Sequence, residues 1–339
     1  MAEYNEIIKS QQQGKFAMVY FLHGDEPFFI DNIIENVELN ALDDTQKSFN
    51  QYILYGKETT LTDVMNIARK YPMMGERQVV IVKEAQEMRS WKNEDQANLL
   101  IHYLENPTPS TVLVFGYKYK TLDKRTKIAK ALEKGAETML SKRLYDNQIP
   151  EWLRSYTKVA GVNLTAKASV IMAENIGNNL QRLANEVDKL KLNIKDGGEV
   201  NEQMIQKYVG ISKDYNTFEL QSAIALKNTT KAFKIVKYMA SNTSSNPLVM
   251  TLGSLFSFFT KLLILHHNGA NDKNEVSRLI GVHPFFASEY LQAKSNYPVQ
   301  LVTRNIQCIY EADLQSKGIG YASVNEGNIL QELVYKLIH

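Results

Sequence analysis

QVVIVKEA, residues 78–85, decides the fold class. Its run of β-branched residues has no polar face, whereas a strand covered on one side only would alternate apolar and polar positions. A continuous apolar run of this length fits a strand buried on both faces, as in a parallel sheet between two helical layers. TVLVFGY (111–117) reads the same way, and MVYFLHG (18–24) is a third short apolar run, ending on glycine. FNQYILYG (49–56) and AETMLSKRL (136–144) complete a set of five strand candidates. Helical spacing fills the gaps, first in PFFIDNIIENVELNAL and then in LTDVMNIARKY (61–71). SWKNEDQANLLIHYLENP follows, with Ser90 as its N-cap and Pro107 as its stop. KRTKIAKALEKG then ends at Gly135. Strand and helix alternating in this way predict a doubly wound α/β domain over residues 1–140.

Beyond about residue 141 the strand signals stop. NNLQRLANEVDKLKLNI sets Leu180, Leu183, Val187 and Leu190 on one helical face, and its neighbours also read as helices. A small helical domain is expected over 141–211, and a second over 212–339. The most apolar segment of the latter, LVMTLGSLFSFFTKLLILHH, is interrupted by Thr, Ser, Gly and Lys261, and a buried helix is expected there instead of a membrane span.

Composition narrows the function. The 339 residues are 44% hydrophobic and 22% charged, which supplies a core. A formal net charge of +2 gives no global attraction to nucleic acid or acidic lipid, so any such contact must be local. One cysteine, Cys308, excludes an intramolecular disulfide and a cysteine-based zinc site, and suits a reducing compartment. The N-terminus lacks the apolar run of a signal peptide, so a cytoplasmic protein is expected.

The loop after the first strand, HGDEPFFID, lies where a phosphate-binding loop would sit. That chemistry needs a second glycine, a lysine and a hydroxyl. Here Gly24 is followed by Asp25, Glu26 and Pro27, whose two carboxylates would repel phosphate. At the end of QVVIVKEA, Lys83 and Glu84 stand where a magnesium-binding carboxylate would be looked for, and Glu84 is expected to cap the sheet edge in solvent. The six histidines show neither H-E-x-x-H spacing nor an accompanying G-x-S-x-G elbow. No nucleotide, metal or other cofactor and no catalytic constellation is expected, and the chain is not expected to be catalytic by itself.

Two segments invite nucleic acid. YKYKTLDKRTKIAKALEK (117–134) carries Lys118, Lys120, Lys124, Arg125 and Lys127 with Tyr117 and Tyr119 interleaved. It is either a solvated helix face or a contact for DNA backbone or an acidic partner. SRLIGVHPFFASEYLQA (277–293) has the outline of a helix-turn-helix, which keeps a DNA-binding regulator as the alternative function. Its second helix offers Phe285, Phe286 and Glu289 where base readers would carry Arg, Asn or Gln, and core packing fits it better.

Taken in order, FLHGDEPFFID, YPMMGERQVVIVKEA, GNNLQRLANEVDKL and GVHPFFASEYL resemble the delta subunit of the bacterial DNA polymerase III clamp loader, across essentially the whole chain. The resemblance implies an AAA+-like module without a working P-loop at 1–140, a helical lid at 141–211 and a helical collar at 212–339. It implies a non-catalytic subunit of the polymerase holoenzyme that binds the ring-shaped sliding clamp (the beta subunit) and opens one of its interfaces during replication. The implied partners are that clamp, the ATPase subunits and the delta-prime subunit of the loader, and primed DNA within the complex. No membrane is implied, and the isolated subunit is expected to be a monomer.

The family grips the clamp with a hydrophobic pair ahead of its third strand, often leucine and phenylalanine. The matching positions here are Met73 and Met74, which depart in residue type and keep the apolar character. Flexible, polarizable methionine suits a pocket of imperfect shape. Burying both side chains contributes about 3–6 kcal/mol before ordering costs. Pro72 is expected to stop the preceding helix and Gly75 to allow a tight turn, so that the pair projects from a corner.

Overall fold

In the computed structural model the described residues are 3–73, 75–145, 148–194, 198–210, 215–244, 246–282, 284–319 and 325–339, with the side chains of Glu174, Pro284 and Phe285 also outside the description. The chain divides into two units, Met1–Leu144 and Tyr145–His339.

The first unit runs α1 (Tyr4–Gln12), β1 (Val19–Gly24), α2 (Pro27–Asn40), α3 (Asp44–Asn50), β2 (Gln51–Tyr55), α4 (Leu61–Ala68), β3 (Gln78–Lys83), α5 (Glu94–Glu105), β4 (Thr111–Lys118), α6 (Lys127–Gly135) and β5 (Glu137–Ser141). Five parallel strands form one sheet in the order β2-β3-β4-β1-β5. Alternate residues of the apolar runs serve opposite layers. Tyr20, Leu22, Val79, Ile81, Val112 and Val114 join Ile7 of α1 and Ile30, Ile33 and Val37 of α2. Val19, Phe21, Val80, Val82, Leu113 and Phe115 join α4, α5 and α6 through Leu61, Met65, Leu100 and Leu132. Each such side chain contributes about 1.5–3 kcal/mol on burial, so the sheet is held from both faces.

Two local expectations are corrected. Ser90 does not cap α5: it sits in a short 3₁₀ turn, where its hydroxyl accepts the Leu61 N–H at 3.0 Å, and Asn93 caps the helix by accepting the Gln96 N–H. Helix α4 ends at Ala68, four residues before Pro72, so the proline is not its stop. Tertiary contacts hold the helix terminus instead. The Gln78 carboxamide nitrogen lies 3.3 Å from the carbonyl oxygens of Ile67 and Ala68 and also reaches that of Lys70. The Thr111 hydroxyl donates to the Ala68 carbonyl at 2.9 Å. Carbonyls that a helix end leaves unpaired are thereby stitched to the first residues of β3 and β4.

The second unit contains α7 (Ile149–Val159), β6 (Asn163–Leu164), α8 (Ala166–Ile176), α9 (Leu180–Asn193), β7 (Glu199–Val200), α10 (Glu202–Tyr208), α11 (Thr217–Ala225), α12 (Thr229–Ser241), α13 (Leu248–His267), α14 (Lys273–Ile280), α15 (Pro284–Asn296), α16 (Val299–Ser316) and α17 (Glu326–Ile338). Strand structure is not wholly absent there, because β6 and β7 form a two-residue parallel bridge. Leu180, Leu183, Val187 and Leu190 are buried, as their spacing requires. Asparagine starts five of these helices: Asn179, Asn201, Asn216, Asn228 and Asn325 each accept a first-turn N–H. Helix α13 has the length and apolar composition of a membrane span. Its Leu252, Leu255, Phe258, Phe259, Leu262 and Leu265 nevertheless lie in the core shared by α11 to α17, where a central helix of a globular unit belongs.

Candidate functional site

The amino end of β3 carries an exposed apolar corner. Met73 is 60% exposed and Tyr71 is 84% exposed, while Gln78 to Val82 immediately downstream are buried. Met74 lies outside the described residues. The corner is not slack. Asn50, the last residue of α3 and 1% exposed, receives the Met73 N–H on its side-chain oxygen at 2.6 Å and donates its side-chain N–H to the Met73 carbonyl at 2.8 Å. Gly75 does not adopt a positive φ, so turn conformation is not what demands it. Space is tight instead: a Cβ there would stand 3.2 Å from the Asn50 side-chain nitrogen and 3.3 Å from Gln46, so those side chains would have to shift by a few tenths of an ångström.

The opposite, carboxyl end of the sheet is where a doubly wound fold receives phosphate, in the crevice beside the central strand. Here the chain's own atoms fill it. Gly24 has φ +129° and lies so close to β5 that a Cβ would come within 2.1 Å of the Ser141 carbonyl oxygen. The Ser141 hydroxyl donates to the Glu26 carbonyl at 2.6 Å. The anion position at the start of α2 is taken by Glu26, which accepts the Phe28 N–H at 3.2 Å. Burial pushes its pKa up, against the opposing pull of that hydrogen bond and of Arg143.

Next to this loop, Lys118 extends from β4 to Asp31 at 2.7 Å and Glu84 at 3.0 Å. Burial alone would lower the Lys118 pKa, but the hydrogen bonds and charges of those two carboxylates outweigh it and raise it. Glu84 adopts a left-handed conformation, φ 53°, and is bound by Lys118 and Gln86, so it is an ion-paired residue and not a free cap in solvent. Lys83 is likewise paired, to Glu38 at 2.8 Å. Among the described residues no group of three or more His, Cys, Asp or Glu is arranged to hold a metal.

The corner and the sealed loop flank a sheet whose sequence carries a known signature. A family model described as DNA polymerase III, delta subunit, matches residues 20–141, and one described as DNA polymerase III delta subunit, C-terminal domain, matches 214–331. The chain belongs to the DNA polymerase III delta subunit family. It is 26% identical over 285 residues to the DNA polymerase III subunit delta of Bacillus subtilis (strain 168), with 83% of this chain and 82% of that one covered. It is 20% identical over 301 residues to a probable DNA polymerase III subunit delta of Aquifex aeolicus (strain VF5), with 86% and 84% covered. The solved structure of the Bacillus subtilis DNA clamp loader delta protein has the same fold, with a TM-score of 0.56, 21% identity and 99% of each chain covered. The architecture, a parallel five-stranded α/β unit followed by a mainly helical one, is that of the delta family.

The other sequence-singled residues of this delta-family chain separate clearly. In the basic run, Lys118 is largely buried and doubly paired, and Tyr117 is packed 5.7 Å from both Phe21 and Trp91, so neither is displayed for stacking or phosphate contact. Lys120, Arg125 and Lys127 are exposed but face Glu87, Asp123 and Glu94. Lys124 forms no ion pair among the described residues. The helix-turn-helix outline is a core element: Phe286 meets Phe218 edge-on at 5.0 Å, Tyr290 is buried, and Glu289 accepts the Ser222 hydroxyl at 3.1 Å. His283 and the side chain of Phe285 lie outside the described residues. His266 contacts the Tyr297 carbonyl at 2.8 Å and His23 is buried beside Phe21, both structural positions. Asn50 escaped sequence reasoning. Its one signal was an asparagine at the mouth of a strand, a position that disfavours that residue unless its side chain has a partner.

Proposed function

We propose that this chain works as the clamp-gripping delta subunit of a bacterial clamp loader, with Met73 and Met74 as the contact and Pro72 and Gly75 as the frame of the corner. The observation that carries the reading is the exposure of Met73, 60%, on a corner fixed at both backbone atoms by a buried asparagine. A displayed methionine on a rigid mount has the properties of an interface hot spot, because little ordering is left to be done on binding. Opening of the ring follows from differential affinity: tighter binding to the open form shifts the clamp toward it. The sealed loop after β1 supports a division of labour in which ATP acts on the sister ATPase subunits. Delta-prime and primed DNA complete the set of partners, in the cytoplasm, and the isolated subunit is a monomer. Residues 141–211 would serve as the lid and 212–339 as the collar, with Lys120, Lys124, Arg125 and Lys127 the lysines and arginine available to DNA or a partner.

The test is capture of a bacterial sliding clamp by the immobilised full chain. The wild type should retain the ring, and the double variant Met73→Ser, Met74→Ser should lose it while its melting temperature is unchanged. Wild-type affinity in the double variant would reject the site.

A further inference from the structure

We propose that Asn50 is the positioning residue of the clamp contact, acting on Met73 from 23 residues away and touching the clamp only through it. This inference rests on the reading of Met73 and Met74 as the contact. Three observations converge on it. First, Asn50 is 1% exposed and cannot itself serve a partner, yet both ends of its carboxamide face Met73, the N–H at 2.6 Å and the carbonyl at 2.8 Å. A side-chain amide used this way imitates a neighbouring strand, fixing the peptide units on either side of the Met73 Cα. Second, Gly75 and Gln46 shape the space for it, since a Cβ at position 75 would press on the Asn50 nitrogen at 3.2 Å and on Gln46 at 3.3 Å. Third, Asn50 stands between α3 and β2, so the clasp ties the corner to the outermost strand of the sheet as well as to β3.

The chemistry is specific to asparagine. Aspartate would keep an acceptor for the Met73 N–H but turn a carboxylate oxygen toward the Met73 carbonyl. Alanine would remove the protein partner of both backbone groups at a part-buried position. Without the clasp the corner samples several conformations, and apparent affinity falls by the fraction of time it spends in the competent one.

The experiment measures clamp binding by the full chain for wild type, Asn50→Ala, Asn50→Asp, Met73→Ala and the double variant Asn50→Ala, Met73→Ala, each alongside its melting curve. Asn50→Ala is expected to weaken binding about 10-fold, and Asn50→Asp should not restore it. In the Met73→Ala background the further loss from Asn50→Ala should shrink to about 2-fold or less, because the residue acts through Met73. Unchanged binding by Asn50→Ala, or the same loss in both backgrounds, would overturn the inference. If Met73→Ala binds like wild type, the contact reading itself fails; if Met73→Ala weakens binding and Asn50→Ala does not, only the role of Asn50 fails.

Discussion

The loop after β1 and the corner before β3 lie at opposite ends of one parallel sheet and treat their exposed atoms in opposite ways. At the loop, every feature that could hold a phosphate is turned inward: Gly24 lies against Ser141, Glu26 caps its own helix, and Lys118 is bound by Asp31 and Glu84. At the corner the backbone is equally tied, through Asn50, but the Met73 side chain is left outside. At the end of the strands where a doubly wound fold receives a ligand this chain is closed, and at the other end it leaves Met73 exposed. The difference is visible in what the ties leave free: at the loop the glycine, the carboxylate and the lysine that could meet a phosphate are engaged, and at the corner the backbone of Met73 is engaged while its side chain is exposed.

The comparison can be broken by removing each side in turn. The largest effect is expected from Met73→Ser with Met74→Ser, which should weaken clamp binding at least about 100-fold, measured by equilibrium titration, without altering thermal stability. Gly24→Ala should do the reverse. Its Cβ has no room beside the Ser141 carbonyl, and φ +129° is unfavourable for a side chain, so stability should drop by about 3 kcal/mol in denaturant titration.

Lys118→Ala should cost less, about 1–2 kcal/mol, because Asp31 and Glu84 retain access to water. Its signature is in pH. The Glu84 pKa is lowered from an ordinary value of 4.5: burial would raise it, and Gln86 and Lys118 more than reverse that. The stabilisation from Glu84 is therefore present above about pH 4.5 and lost as pH falls through the lowered value. The raised Lys118 pKa adds stability that is present below its ordinary 10.5 and lost as pH rises through the raised value. Melting curves of the variant should lack the alkaline loss and show a smaller acid one. The smallest effect is expected from ATP with magnesium, which should leave the melting temperature of the wild type unmoved; a dose-dependent rise would mean that the loop is not closed.

How much of this was legible in the sequence depends on how far each interaction reaches. Val79 to Val82 and Val112 to Phe115 announced buried strands because burial on both faces leaves a local imprint, an unbroken apolar run. Met73 stood out for a different local reason, an apolar residue next to a proline and close to a glycine, and it is exposed. One expectation about the frame is corrected. Pro72 does not end α4, because the contacts that hold the helix end come from Gln78 and Thr111, which no local window contains. Ser90 and Asn93 are both competent caps, and only the approach of Leu61 decided between them. Lys118 looked like one charge in a basic run until α2 and the segment after β3 brought carboxylates to it.

The stitch that joins the last turn of α4 to Gln78 and Thr111 has a mechanical meaning. A subunit that holds a ring open against its tendency to close works under load, and a contact on a compliant loop would yield before the ring did. With the ring held at the proposed contact, a pull on the corner would pass through Asn50 to the edge of the sheet and through Gln78 and Thr111 to the roots of β3 and β4. The segment between α4 and β3 is tied at Met73 by Asn50 and at the helix end by Gln78 and Thr111.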